Sequence, residues 1–290
     1  MDILVVGIPG PVFDWVRTGL AAACGLPVVS VQDAGLLTVD PDAPPEHFCA
    51  TNHLTLALAQ AVREGRLKVI ATFDRPDDGC RRTGLPHPRA QRRVAAGLYA
   101  MGELLGMPQV MQADRGSDPV DLLAFCGLQA AAFPVLAAEE LADTELAELL
   151  APALAYARSG LRTRQVWPRL WLQDGDHHDQ SLPRMISLTG PARNLAFGPY
   201  IGFSPGPARL AVVLAVAPTC RHAEMAIELH DGTLLGRGIF VLTQPGIFSA
   251  EINVVIGSAR EELEIRLKNT RGAIEGEIGV DHVSLTPITG

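Results

Sequence analysis

The segment ILVVGIPGPVFDWVRTGLAAAC occupies residues 3–24 and has the pattern of a strand, a turn and a helix. Residues 3–8 are a short apolar run typical of a buried strand, and residues 14–24 have helical periodicity. The glycines and prolines between them predict a tight turn. Free backbone N–H groups and the helix dipole make such a turn a candidate anion site. The Gly-Lys-Ser/Thr of a Walker A loop is missing, so a plain strand-to-helix connection is the alternative.

Strands and helices continue to alternate through the first half of the chain. Further strands are predicted at residues 27–31, 67–73 and 109–112, and helices at 54–64, 89–105, 119–126 and 136–159. This alternation is typical of βαβ units and a mostly parallel sheet. We therefore expect a three-layer α/β domain over residues 1–172.

The pattern changes near residue 185, where helical periodicity disappears. Seven short strands are predicted, at residues 195–203, 208–216, 223–229, 235–242, 248–255, 262–267 and 280–285. Short strands separated by glycine, proline, asparagine and aspartate favour an antiparallel β-sandwich. We expect this all-β domain to span residues 186–290, with a linker at 173–185.

Composition excludes several classes of protein. The 290 residues are 48% hydrophobic and 19% charged, with a net charge of −8, so a disordered chain or a general nucleic-acid binder is not expected. Only Lys68 and Lys268 are lysines among 24 basic residues. Five cysteines without a Cys-x-x-Cys motif, no signal peptide and no apolar run of membrane-spanning length together predict a cytoplasmic protein with reduced thiols.

Three polar residues of the first half have the chemistry of a phosphate-binding and proton-accepting site. Arg75 follows a predicted strand, and its guanidinium group suits two phosphate oxygens. Thr83 lies eight positions later and offers a hydroxyl group. His53 begins a helical segment and is a candidate base for an acceptor hydroxyl.

This arrangement resembles the sulfotransferase family, which uses 3′-phosphoadenosine 5′-phosphosulfate and has a P-loop-like fold. The family's Pro-Lys-Ser-Gly-Thr-Thr-Trp loop is matched by Pro9 to Trp15, and its Lys-Thr-His-Leu-Pro segment by residues 51–55. Its Arg-x-Pro-x-Asp segment is matched by residues 75–78, and a later Asp-Pro helix by residues 118–128. The resemblance covers about residues 1–160.

The resemblance implies a sulfuryl transfer to a saccharide or other hydroxyl acceptor, without a metal. His53 would be the catalytic base, and the donor would be held by Gly7, Pro9, Gly10, Trp15, Arg75 and Thr83. Gly10 replaces the loop lysine of the family. That replacement favours the alternative, a non-catalytic protein of the same fold that binds a glycan or a partner in polysaccharide biosynthesis.

The second half resembles the β-sandwich modules of polysaccharide-modifying proteins, which are similar to carbohydrate-binding modules. The matching stretches are residues 197–201, 263–266 and 281–285. Five aromatic residues are available for a sugar platform: Phe197, Tyr200, Phe203, Phe240 and Phe248. A structural or oligomerising sandwich is the alternative to a sugar-binding one.

Three further features are candidate functional sites that also have simpler structural explanations. Residues 174–179 (DGDHHD) suit a divalent metal but are also typical of a solvated linker. Arginines 81, 82, 89, 92 and 93 form a basic cluster that either faces an anion or covers an exposed helix. Cys80 lies beside two of these arginines, which would lower its pKa, although we expect an unreactive thiol.

Overall fold

The computed structural model describes residues 2–26, 28–30, 48–51, 62, 64, 67–129, 131–137, 143–159, 164–178, 180–220, 222–257 and 262–288. The chain divides into two compact units, Met1–Leu161 and Arg162–Gly290. The predicted linker at 173–185 therefore lies inside the second unit. In the described residues, no helix is long and apolar enough to cross a membrane.

A parallel five-stranded sheet forms the centre of the first unit, which confirms the predicted parallel arrangement. The strand order is β2-β3-β1-β4-β5. The strands are β1 Asp2–Gly7, β2 Val28–Ser30, β3 Phe48–Thr51, β4 Leu67–Thr72 and β5 Val110–Ala113. Strand β3 was missing from the sequence prediction.

Five helices of the described residues belong to this unit. They are α1 Pro11–Cys24, α2 Pro76–Arg82, α3 His87–Gly102, α4 Pro119–Cys126 and α5 Thr144–Ser159. Helices α1 and α4 share one buried cluster with Ile3 and Val5 of β1. Helix α3 also contacts β1 and packs against α5, where Tyr156 donates a hydrogen bond to Glu103 at 2.7 Å.

The path of the chain places a crevice at the carboxyl ends of β1 and β4. From β1 the chain goes through α1 to the far edge of the sheet, returns at β3, and then crosses to β4 on the other side of β1. Open α/β sheets bind ligands where the strand order reverses in this way. The Gly7–Gly10 turn and the residues that follow β4 meet at this place.

The second unit is an antiparallel β-sandwich, as the sequence predicts. One sheet has the order β13-β10-β15-β6, with β8 also paired to β15, and the other has the order β12-β11-β14-β9-β7. The strands are β6 Gln165–Pro168, β7 Gln173–Asp174, β8 Ile186–Ser187, β9 Arg193–Ile201, β10 Gly206–Val216, β11 Ala223–His230, β12 Leu234–Leu242, β13 Gly246–Ile256, β14 Leu263–Asn269 and β15 Glu277–Pro287.

Strands β6 and β7 explain why the sandwich begins earlier than predicted. Strand β6 pairs with β15, and β7 pairs with β9, so each belongs to one of the two sheets. Trp167 of β6 and Trp171 after it are completely or almost completely buried, at 0% and 1% exposure. These two residues belong to the sandwich core and not to the α/β domain that was predicted to extend to residue 172.

Candidate functional site

The N-terminus of helix α1 is capped by a carboxylate from the neighbouring strand. Asp74, which follows β4, accepts a hydrogen bond from the backbone N–H of Val12 at 2.8 Å and another from that of Phe13, also at 2.8 Å. The carboxylate is 4% exposed. It therefore uses two of the N–H donors that the sequence analysis assigned to an anionic ligand.

Burial governs the protonation of this carboxylate. Desolvation raises the pKa of Asp74 to about 6, and the nearby charge of Asp78 adds to the rise. The hydrogen bonds from Val12 and Phe13 and the positive charge of Arg82 act in the opposite direction. Because this pKa is below 7, most of the Asp74 side chains are ionised at neutral pH.

Gly10 makes room for Asp74. Its φ of −178° is extended backbone that any residue adopts, so glycine is not needed here for conformation. A Cβ atom at residue 10 would overlap the Asp74 carboxyl group and lie 2.6 Å from Oδ1. A lysine side chain at this position, as in the sulfotransferase loop, is therefore incompatible with the observed place of Asp74.

Arg75 is held by an acidic neighbour. Its Nη2 lies 2.6 Å from Asp77 Oδ2, and its Nε donates to Asp77 Oδ1 at 3.2 Å. Asp77 is fully buried, and it also accepts hydrogen bonds from Arg81 and from the backbone N–H of Asp143. Burial alone would raise the pKa of Asp77, but the hydrogen bonds and charges of Arg75 and its other partners hold it below its ordinary value.

The other predicted donor-binding residues have structural contacts. Thr83 donates its hydroxyl hydrogen to the Cys80 carbonyl at 2.8 Å and accepts from Leu85 N–H at 3.3 Å, which ends helix α2. Trp15 is buried and donates from Nε1 to the carbonyl of Pro134 at 2.7 Å.

Of the two remaining donor-site positions, Gly7 is the last residue of β1 and Pro9 lies in the turn after it. At Gly7, a Cβ atom would overlap Thr72 of the neighbouring strand β4. Pro9 is partly buried. His53, the predicted base, lies outside the described residues.

The sequence contained a signal for the role of Asp74. In the sulfotransferase pattern one residue separates the arginine from the proline, whereas Arg75 precedes Pro76 directly. With the prolines aligned, Asp74 stands at the arginine position of that pattern, so the charge is reversed. The residues of this crevice, as they are arranged here, do not fit the phosphate groups of a phosphoadenosine donor.

Two members of the arginine cluster, Arg81 and Arg82, belong to this same network, and Cys80 lies beside them. Arg81 binds Asp77 and Asp78, and Arg82 forms a 2.7 Å ion pair with Asp14. Burial raises the pKa of Cys80 to about 12. The negative charges of Asp77 and Asp143 contribute to this rise, whereas the positive charge of Arg81 acts to lower the pKa. Arg81 thus acts in the expected direction, but burial outweighs it, and the net rise agrees with the unreactive thiol that we expected.

A cleft of about 340 Å³ adjoins the crevice at the ends of β4 and β5. Among the described residues predicted for the donor site, only Arg75 lines it. Its charged lining residues are Asp74, Arg75, Asp78, Asp114, Arg115 and Arg158. The guanidinium of Arg158 lies 6.0 Å from the centre of the Phe73 ring, a cation–π distance.

The second unit carries a row of side chains across one outer sheet face. Cross-strand pairing places Arg237 opposite Glu228, Glu228 opposite Arg266, Arg266 opposite Phe197, and Phe197 opposite Gln173. We call these five residues the platform row. On β14 the alternate residues Leu263, Ile265 and Leu267 are buried, so the row lies on the face away from the core.

Phe197 is the centre of an aromatic group. His178 and Tyr200 approach its ring edge-to-face, with ring centres at 5.0 and 6.5 Å. Phe197 and Tyr200 are both partly exposed.

The other three predicted platform aromatics lie elsewhere. Phe203 is buried, and the partners of Phe240 and Phe248 are the fully buried Met225 and Leu214. These two rings therefore lie on the inner faces of their strands.

Ion pairs organise the charged part of this face. Glu228, only 7% exposed in its side chain, lies 2.6 Å from Lys268 Nζ, 3.0 Å from His230 Nε2 and 3.4 Å from Arg237 Nε. Burial would raise the pKa of Glu228, but Lys268 and His230 hold it below its ordinary value. Glu264 accepts two hydrogen bonds from Arg266, at 2.8 and 3.1 Å, which orients the guanidinium.

The proposed metal-binding segment has other partners. Asp174 pairs with His177 at 3.2 Å, Asp176 with Arg193 at 3.1 Å, and His178 contacts the carbonyl of Gly175 at 3.0 Å. Within the part of the chain that the structure describes, no three His, Cys, Asp or Glu residues converge on a metal-sized site.

The other sheet carries a polar groove of about 400 Å³ on its outer face. Its lining includes Arg164, Arg209, Ser249, Glu251, Ser284 and Thr286, and none of the described lining residues is aromatic. Arg209 and Glu251 form an ion pair at 3.8 Å.

Comparison with known proteins yields structural neighbours only. No family model and no curated protein matches the chain. Among solved structures, the CBM36-1 domain of a multidomain xylanase from the hindgut metagenome of Trinervitermes trinervoides is 13% identical, with a TM-score of 0.33, and covers 44% of this chain and 100% of its own.

Two further neighbours are also carbohydrate-binding modules. A CBM36 module in complex with calcium and xylotriose is 17% identical (TM-score 0.26; 34% of this chain, 78% of its own). The module TmCBM61 in complex with β-1,4-galactotriose is 11% identical (TM-score 0.29; 43% of this chain, 88% of its own). TM-scores of this size do not establish a common fold, so the class of this chain, an α/β unit followed by a β-sandwich, rests on its own strand pairing.

Proposed function

We propose that the protein binds a saccharide through the platform row of its β-sandwich and is not an enzyme at that site. The observation that carries this proposal is the position of Phe197, a partly exposed ring in register with Arg266 and flanked by His178 and Tyr200. An aromatic ring offers a flat apolar surface for the C–H face of a pyranose.

The neighbours of Phe197 suit the hydroxyl groups of a sugar. Arg266 presents a planar set of N–H donors, and Gln173 has both a donor and an acceptor. The ion pair with Glu264 holds the Arg266 guanidinium in one orientation, so less conformational freedom is lost on binding. Because both neighbours are directly opposite Phe197 on adjacent strands, a single sugar unit can contact all three.

Sulfuryl transfer by the first unit is the second candidate. It is supported by the sequence resemblance, by the crevice at the reversal of strand order and by Arg75 beside the 340 Å³ cleft. The contacts of Asp74, Arg75 and Thr83 count against it, and we therefore place saccharide binding first.

The test is binding of the full chain to a panel of immobilised polysaccharides and oligosaccharides. We expect the wild-type protein to bind at least one member, and Phe197→Ala and Arg266→Ala each to weaken that binding about tenfold, or roughly 1.4 kcal/mol. Arg209→Ala is the matched control, because Arg209 is also a strand arginine paired with a glutamate on an outer sheet face.

Two results would contradict this proposal. One is a wild-type protein that binds no glycan of the panel while its circular dichroism spectrum is that of a folded β-protein. The other is binding that survives Phe197→Ala and Arg266→Ala but is lost in Arg209→Ala, which would move the site to the polar groove of the other sheet.

A further inference from the structure

The Asp74 carboxylate has the geometry of an anion bound at a helix N-terminus. Each of its two oxygens accepts one backbone N–H of the first turn of α1, at 2.8 Å, and the carboxylate lies on the positive end of the helix dipole. Phosphate and sulfate groups bind helix termini through these same donors. The carboxylate and such a ligand therefore compete for the same atoms.

We infer that Asp74 is a resident anion that excludes phosphate and sulfate esters from the crevice between β1 and β4. The first unit would then be unable to take an anionic nucleotide donor, whatever the identity of its acceptor. This inference concerns a different unit from the proposed saccharide site and does not depend on it.

Neighbouring charges strengthen the exclusion. Asp14 lies in the first turn of α1, where an incoming anion would meet a second carboxylate. Two neighbouring cations are already paired with Asp14, Arg82 at 2.7 Å and Arg17 at 3.1 Å. Asp78 adds a third carboxylate, 5% exposed, on the adjoining cleft.

The predicted phosphate ligand Arg75 is also committed within the protein. It donates two hydrogen bonds to Asp77, a fully buried carboxylate. If Arg75 turned towards a ligand, Asp77 would lose part of the positive charge that compensates its burial. The arginine therefore supports α2 and does not replace the missing lysine of the turn.

The experiment compares anion binding by the full-length wild-type protein, Asp74→Ala and Asp114→Ala. Asp114 is the matched control, because it lines the same cleft and accepts a backbone N–H at 2.9 Å, but from Gly116 in its own turn and not from α1. The probes are formate, sulfate and adenosine 3′,5′-bisphosphate, and the readouts are thermal shift and titration calorimetry.

We expect no saturable binding of the bisphosphate to the wild-type protein. Asp74→Ala should have a lower Tm, and formate or sulfate should raise that Tm more than the Tm of the wild-type protein or Asp114→Ala, because a free anion can replace the deleted carboxylate. Chloride at the same ionic strength controls for screening. If Asp74→Ala does not fold, Asp74→Ser replaces it in the same comparison.

Two outcomes would overturn the inference. Saturable heat from the bisphosphate in the wild-type protein, abolished by Arg75→Ala, would mean that the crevice accepts the donor despite Asp74. An anion response of the Asp74 variants no larger than that of Asp114→Ala would mean that the carboxylate does not occupy an anion site. Failure of glycan binding by the sandwich leaves both readouts unaffected.

Discussion

Gly10 lies against the buried carboxylate of Asp74, and the absence of a side chain at Gly10 leaves the space that this charged group occupies. The carboxylate can cap α1 only because residue 10 has no Cβ, and the extended φ of Gly10 leaves space as the sole reason for glycine. Two residues that are separated by 64 positions in the chain thus depend on each other. We therefore expect a measurable coupling between substitutions of Gly10 and Asp74 in the free energy of unfolding.

Gly10→Ala should lower the free energy of unfolding by roughly 1–3 kcal/mol, the usual cost of overpacking. In the Asp74→Ala background the same substitution should cost about 1 kcal/mol less, because the overlapping carboxyl group is gone and only the Cβ atom of residue 74 remains in close contact. Urea unfolding of the four proteins in this double-mutant cycle measures the coupling. Gly10→Ala combined with Asp114→Ala should be additive, and additivity with Asp74→Ala as well would contradict the proposed contact.

The raised pKa of Asp74 predicts a pH dependence of stability. The folded protein holds the Asp74 proton with a pKa of about 6, against 3.8 for an ordinary aspartate. The stabilisation that the protonated Asp74 carboxyl group contributes is therefore fully present below pH 3.8, and it is lost as the pH rises through about 6. The difference between these two pKa values corresponds to about 3 kcal/mol in the free energy of unfolding.

Asp74→Asn removes this titration. Compared with the wild-type protein, we expect the asparagine variant to gain less stability between neutral pH and about pH 4.5 in urea unfolding experiments. Asp114→Asn should follow the wild-type protein, because Asp114 is exposed. An Asp74→Asn variant with the wild-type pH profile would mean that the burial of Asp74 does not govern its titration.

Strand β6 determines where the sandwich begins. It supplies the pairing partner of β15, and together with the turn after it provides two buried tryptophans, Trp167 and Trp171. Loss of one buried tryptophan side chain commonly costs roughly 3–5 kcal/mol, which is much of the stability of a small domain.

A fragment of residues 162–290 should therefore fold cooperatively, whereas a fragment of residues 186–290 should not. Thermal unfolding followed by circular dichroism distinguishes them, with the full chain as reference. Equal transition temperatures of the two fragments would show that β6 and β7 are dispensable, and would restore the boundary that the sequence predicted.

Strands are predictable from the sequence where their patterns are long. All seven strands predicted after residue 185 appear, because alternation over seven to eleven residues leaves little ambiguity. Among the strands of two to four residues, β2 and β5 were predicted from their apolar runs, whereas β3, β6, β7 and β8 were missed because so few positions define no period.

In the whole molecule, the two candidate sites differ in what the sequence could predict. Phe197 and Tyr200 were identified as candidates, because an aromatic residue in a sandwich strand is visible in the sequence. Strand register shows that Phe240 and Phe248 face inward, and burial excludes Phe203, and neither property is visible in the sequence. Asp74 was missed because its hydrogen-bond partners lie on α1, far away in the sequence, and only the folded structure brings α1 next to the residues after β4.

Mutual dependence of Gly10 and Asp74 also limits how this crevice can change one substitution at a time. A lysine at residue 10 overlaps the carboxylate as long as Asp74 remains. Removal of Asp74 alone deprives two backbone N–H groups of their partner and supplies no cation in return. Either substitution alone therefore lowers stability, so an anion site that also has a cation at residue 10 requires two changes, and whichever is made first is destabilising.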